Sequence, residues 1–151
     1  MNIEEKSGST FANLIQIGVV VKDMERTIER LAALGIGPFY AKMPPPGARS
    51  LYRGQPFEAA GSVNIKACQL GNVELELIQP LEKGSPHREY LEAKGEGIQH
   101  IAFAVENLAR SVKTLTDKGS SVLLDGRKPD GGGIAYLDLD AAGIIVELVQ
   151  H

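Results

Sequence analysis

The sequence predicts an α+β fold of two tandem βαβββ modules, and three observations carry that expectation. The first is an internal repeat: "QIGVVVKDMERTIERLAALGI" (16–36) lies without gaps on "HIAFAVENLARSVKTLTDKGS" (100–120), an offset of 84. Ile17 falls on Ile101, Val21 on Val105, Arg26 on Arg110, Leu31 on Leu115 and Gly35 on Gly119. The second is that the module ends match too, "ELIQ" (76–79) on "ELVQ" (147–150), now at an offset of 71. The first copy is therefore longer by 13 residues, which fall in its middle loop. The third is that each copy opens with period-two alternation and then changes to a helical period.

The elements follow in order. An N-terminal tail (1–12) precedes the first module (13–80); a linker (81–97) leads to the second (98–151). Strands at 15–21 and 99–105 are rich in branched apolar residues. Asp23 and Asn107 follow as N-caps, because a short side-chain oxygen can accept from a free helix N–H. Apolar residues at 24, 28 and 31, repeated at 108, 112 and 115, share one helix face. Gly35 and Gly119 end those helices. Three strands complete each module: 37–42, 62–70 and 73–79 in the first, 121–124, 133–139 and 143–149 in the second. In the linker, "SPHREYLEAKG" reads as a short helix with Ser85 as N-cap, Pro86 at its first turn and Gly95 as its stop.

Composition narrows the class. With 43% hydrophobic and 23% charged residues, the 151-residue chain can bury an ordinary core. A net charge of −3 gives no reason to expect nucleic acid, and the apolar run 17–21 is far too short to span a bilayer. The polar N-terminal stretch MNIEEKSGST is not a signal peptide, and one cysteine, Cys68, forms no internal disulfide. The expectation is a cytoplasmic protein, with Cys68 a small buried hydrophobe.

Amphipathic helices must cover one face of the sheet, so the other face needs its own explanation. On that face period two places Gln16, Gly18 and Val20; His100, Ala102 and Ala104; Glu74, Glu76 and Ile78; and Ile145, Glu147 and Val149. Gln16, Glu76, His100 and Glu147 thus stand at matched repeat positions where a simple core would hold aliphatics. Taken singly, a buried His or Gln is most often structural; repetition at equivalent positions is what selects the set. One imidazole, one amide oxygen and two carboxylates suit an octahedral divalent ion such as Mn²⁺, Mg²⁺, Co²⁺ or Ni²⁺. Such an ion offsets the cost of burying two like charges, and the small neighbours Gly18, Ala102 and Ala104 leave room for a ligand.

The two-module pattern, with "QIGVVVKDM", "GEGIQHIAFAVENL" and "GIIVELVQ", resembles the vicinal oxygen chelate superfamily, and within it the methylmalonyl-CoA epimerase group. "LGNVELELIQPL" followed by "SPHREYLEAKGEGIQHIAF" is similar to that group's central stretch. The resemblance implies one curved mixed sheet around a central cleft, with helices on its outer face, and a homodimer. It implies metal ligands at Gln16, Glu76, His100 and Glu147, with a divalent ion (Co, Mn, Ni, Mg or Zn). It further implies an isomerase acting on a small acyl thioester by α-proton abstraction, with Glu147 as acid/base. Alternatives within the superfamily are a lactoylglutathione lyase-like enzyme and a metal-free binding protein of the bleomycin-resistance type. Two departures stand out. Gln16 occupies a position where the epimerase and glyoxalase I carry histidine. No carboxylate occurs in 62–70, where the epimerase has its second acid/base.

Other features are read more plainly. The Pro/Gly-rich segment 39–61 is expected to be a solvated loop, with Arg49 and Arg53 as candidate substrate contacts and Lys42 as a third cation. Glu74 is expected at a solvated edge, His87 on the surface of the linker helix, and "DGGG" (130–133) in a turn before a strand.

Overall fold

The computed structural model describes residues 10–44, 49–81 and 84–151. The first half runs β1 (Leu14–Val20), α1 (Met24–Ala33), β2 (Tyr40–Lys42), β3 (Arg49–Tyr52), β4 (Gln55–Glu58), β5 (Val63–Leu70) and β6 (Val73–Pro80). After α2 (Pro86–Lys94), the second runs β7 (Gly97–Ala104), α3 (Leu108–Asp117), β8 (Ser121–Arg127), β9 (Gly133–Asp138) and β10 (Ile145–Gln150). No helix among the described residues is long and apolar enough to cross a membrane.

All ten strands form one curled mixed sheet in the order β2-β5-β6-β1-β7-β10-β9-β8-β3-β4. The halves meet where β1 and β7 pair antiparallel, with β6 parallel to β1 and β10 parallel to β7. The strand sequence therefore reads the same outward from the β1/β7 seam: first strand, last strand, third strand, second strand.

Among the described residues of 39–61 three strands form, which corrects the loop expected there. Two of them make the β3–β4 hairpin, turned by Arg53 and Gly54 at φ 49° and 78°, the two left-handed residues of a tight hairpin. The hairpin pairs with β8 of the second half, Leu51 opposite Asp125 and Tyr52 opposite Leu124. Tyr52 is buried, and its ring meets Phe57 edge-on at 6.0 Å. Pro56 sits on β4, the outermost strand, where no further strand needs its missing N–H.

The helices cover the expected face. Val112 and Leu115 of α3 and its first residue Leu108 pack with Ala135, Leu137, Val146 and Leu148. Met24 of α1 packs with Val21 and Leu77, and Ile28, Leu31 and Phe39 close around them. Asp23 and Asn107 accept from the N–H of Arg26 and Arg110 at 3.0 and 2.9 Å. A second cap recurs in both halves. Gln79 Oε1 accepts from the Met24 N–H at 3.1 Å, and Gln150 Oε1 from the Leu108 N–H at 2.8 Å. The matched "ELIQ" and "ELVQ" thus tie each last strand to the start of its own helix.

Candidate active site

The opposite face of the sheet gathers the polar residues, and strand register explains how. Across the middle of the sheet Glu74, Gln16, Ala102, Glu147 and Tyr136 are successive partners on neighbouring strands. The row beside it runs Glu76, Gly18, His100. Long side chains therefore alternate with Gly18 and Ala102, and they lean over those small residues toward one another. A Cβ on Gly18 would stand 2.0 Å from Cε1 of His100, so the room at Gly18 is filled by the imidazole rather than left for a ligand.

A bulge aims that imidazole. Gly18 pairs with His100 but Val19 pairs with Ile98, so Gln99 is an extra residue in β7. Gln99 and His100 are consequently both buried, with Gln99 Oε1 2.6 Å from His100 Nδ1. The other ring nitrogen, Nε2, lies 3.0 Å from Gln16 Oε1 and 3.0 Å from Glu147 Oε2. The Gln16 amide nitrogen donates to Glu74 Oε1 at 2.8 Å and to Glu76 Oε2 at 2.9 Å.

Gln16, Glu76, His100 and Glu147, the four residues singled out by the repeat, are therefore brought together, and all four are buried. Sequence reasoning missed their partners. Glu74 is no solvated edge residue: it accepts from Gln16, from Lys42 Nζ at 2.6 Å and from the Tyr40 hydroxyl at 2.5 Å. Lys42 also reaches Glu76 Oε2 at 3.0 Å. His87 is buried rather than on the surface, with Nε2 3.2 Å from the Tyr136 hydroxyl and its ring edge-on to that of His100. Lys42 was legible as a cation, but three residues of β2 carry no period from which to read a face.

Arg53 lies elsewhere, in the β3–β4 turn. Its guanidinium is engaged by Glu89 at 3.1 Å and stacks over the Tyr52 ring, while the Tyr52 hydroxyl also bonds Glu89. Arg49 opens β3, and its side chain lies outside the described residues. A cavity of about 180 Å³ lies between this group and Gln99, lined also by Tyr90, Leu123 and Ile145.

The electrostatics distinguish the carboxylates. Burial and the neighbouring Glu147 push the Glu76 pKa up, with Lys42 and His100 offsetting only part of the rise. Burial also raises Glu74, but the donors from Lys42, Tyr40 and Gln16 outweigh it and hold its carboxyl below the usual range. For Lys42 burial acts downward, and the two carboxylates more than reverse it. Tyr136 is held as a neutral phenol by burial, reinforced by Glu147 and Glu76.

A duplicated βαβββ sheet with a polar cluster on its open face, centred on the seam, defines a class. Residues 15–136 match the glyoxalase/bleomycin resistance protein/dioxygenase superfamily, and the chain belongs to it. It is 35% identical over 136 residues to the uncharacterized protein YqjC of Bacillus subtilis, covering 82% of this chain and 93% of that one. It is 33% identical over 92 residues to the mitochondrial methylmalonyl-CoA epimerase of Mus musculus, covering 58% of this chain and 52% of that protein. Among solved structures, a variant of the Streptomyces coelicolor methylmalonyl-CoA epimerase in complex with 2-nitronate-propionyl-CoA gives a TM-score of 0.68 at 25% identity. That match covers 91% of this chain and 96% of the other. The methylmalonyl-CoA epimerase of Mycobacterium tuberculosis shares the fold, with a TM-score of 0.69 at 21% identity over 94% of this chain and 89% of that one.

Three of the four donors, Gln16, His100 and Glu147, are spaced as ligands of a divalent cation would be. Among the described residues no three His, Cys, Asp or Glu side chains form a metal-sized group, so a metal here depends on the Gln16 amide oxygen. That oxygen and Glu147 Oε2 each lie 3.0 Å from His100 Nε2, close to the ~3 Å edge between adjacent ligands when metal bonds are about 2.1 Å. Gln99 holds Nδ1 as an outer partner does for metal-bound imidazoles. Glu76, the fourth residue, is already engaged by Lys42 and the Gln16 amide.

Proposed function

We propose that the protein is an epimerase-type isomerase that moves the α-proton of a small acyl-CoA thioester. The observation that supports this most directly is the convergence of Gln16 Oε1, His100 Nε2 and Glu147 Oε2 on the open face of the sheet. Relatives of known activity support the substrate class: they are methylmalonyl-CoA epimerases, one solved with methylmalonyl-CoA.

In this reading Gln16, His100 and Glu147, with Glu76 once released by Lys42, would hold a divalent ion, which when bound would supply Lewis-acid stabilisation of negative charge on the thioester oxygen. Glu147 accepts the α-proton at a carboxylate oxygen while the C–H electron pair spreads into the thioester carbonyl; return of a proton from Glu147 gives exchange on that face, and inversion takes a proton delivered to the opposite face of the enolate. His100, pinned through Nδ1 by Gln99, presents its Nε2 lone pair 3.0 Å from Glu147 Oε2. Tyr136, partner of Glu147 across β9 and β10, walls the carboxylate from water on that side.

The test is incubation of metal-loaded protein with (2S)- and (2R)-methylmalonyl-CoA in D₂O. Deuterium should enter the α-position from at least one isomer, and Glu147→Gln should slow its entry by about 100-fold or more. No incorporation from either isomer overturns the reading. A binding-only protein is the second reading, favoured by the ion pair between Lys42 and Glu76, which gives that carboxylate a countercharge without a metal.

A further inference from the structure

The two halves treat their equivalent carboxylates differently. Moving outward from Glu76 the register partners are Ala67 and then Tyr40; outward from Glu147 they are Tyr136 and then Leu124. One step along, Lys42 pairs with Ile65, whose partner is Ile78, while Gly126 pairs with Ile134, whose partner is Val149. Lys42 and Gly126 therefore occupy equivalent positions, and only the first half carries a cation there. Its ammonium spans Glu74 Oε1 at 2.6 Å and Glu76 Oε2 at 3.0 Å, and Tyr40, two residues earlier on the same strand, fixes the far oxygen of Glu74.

We infer that Lys42 is a tethered cation that competes with a divalent metal for Glu76 and sets the metal affinity of the site. The reasoning is electrostatic. A +1 charge on Glu76 removes most of that carboxylate's attraction for a metal and adds repulsion of its own in a poorly hydrated setting. Among the described residues no lysine or arginine pairs with Glu147, whose close partner is His100 Nε2 at 3.0 Å, so it is the carboxylate left to take up a proton. The inference rests on the metal site in the function proposed above, not on the reaction.

The experiment is calorimetric titration of the whole protein with Mn²⁺ and with Co²⁺, in the wild type, Lys42→Met and Lys42→Gln. Methionine keeps the bulk without charge, and glutamine keeps N–H donors for Glu74 and Glu76 should the methionine variant fold poorly. Circular dichroism melts establish that each variant is folded. Removal of the charge should tighten binding at least tenfold. Unchanged or weaker affinity in the folded variants overturns the inference. So does absence of binding in all three proteins, because Lys42 would then not be what holds the metal off. No substrate is present, so metal binding without deuterium exchange overturns the reaction alone, and metal binding that Lys42 does not affect overturns this inference alone.

Discussion

Burial of His87 against Tyr136, with its neighbour His100 acting in the same direction, lowers its pKa from an ordinary 6.5 to about 3. The folded chain therefore keeps this imidazole neutral where the unfolded chain takes up a proton. Below about pH 6.5 the unfolded state binds more protons, so stability is lost as pH falls toward 3. By pH 5 this single group should contribute a loss of about 2 kcal/mol. Urea unfolding at pH 7 and pH 5 measures it: the drop should shrink in His87→Gln, and an equal drop in both proteins would refute the assignment. The same residue shows where sequence reasoning stops. Gln16, Glu76, His100 and Glu147 could be read because each lies on a strand with clear alternation and two copies to compare. His87 lies on a short helix whose buried side is decided by Tyr136, 49 residues away. Gln99 was hidden for another reason: a bulge breaks the period-two rule at that one position.

Helix ends carry the repeat most faithfully at the scale of elements. Each module's helix has a cap from its preceding loop and another from its last strand, Gln79 or Gln150. Gln79→Ala and Gln150→Ala should each cost about 1 kcal/mol in urea unfolding, with near-additive effects in the double variant because the two sites share no partner. Losses below about 0.3 kcal/mol in both would mean that water replaces the amide without penalty. Most strands were legible to within about two residues, since local periodicity forms them, but β2 begins three residues later than expected and β8 runs three residues longer. The β3–β4 hairpin was not legible, although its Arg-Gly turn is local. Its partner is β8, some seventy residues on, and it replaces no element of the second copy to which it could be compared.

At the scale of the whole molecule, the described residues form two apolar clusters but one sheet, continuous through the β1/β7 seam. Unfolding either half would strip the seam of backbone partners and expose the site, so both should unfold together. The chain contains no tryptophan, which makes the test direct. Phe39→Trp reports on the first cluster and Phe103→Trp on the second. Fluorescence midpoints in urea should coincide between the two variants once each is normalised to its own circular dichroism transition; separate midpoints would show independent halves. The seam also fixes how a bound molecule can lie. Lys42 and Tyr40 stand on one flank, Tyr136 and Gly126 on the other, so the internal twofold ends at the backbone and the face has a polarity of its own. A molecule with unlike ends has one preferred way round there, even though the chain that receives it was built twice from the same plan.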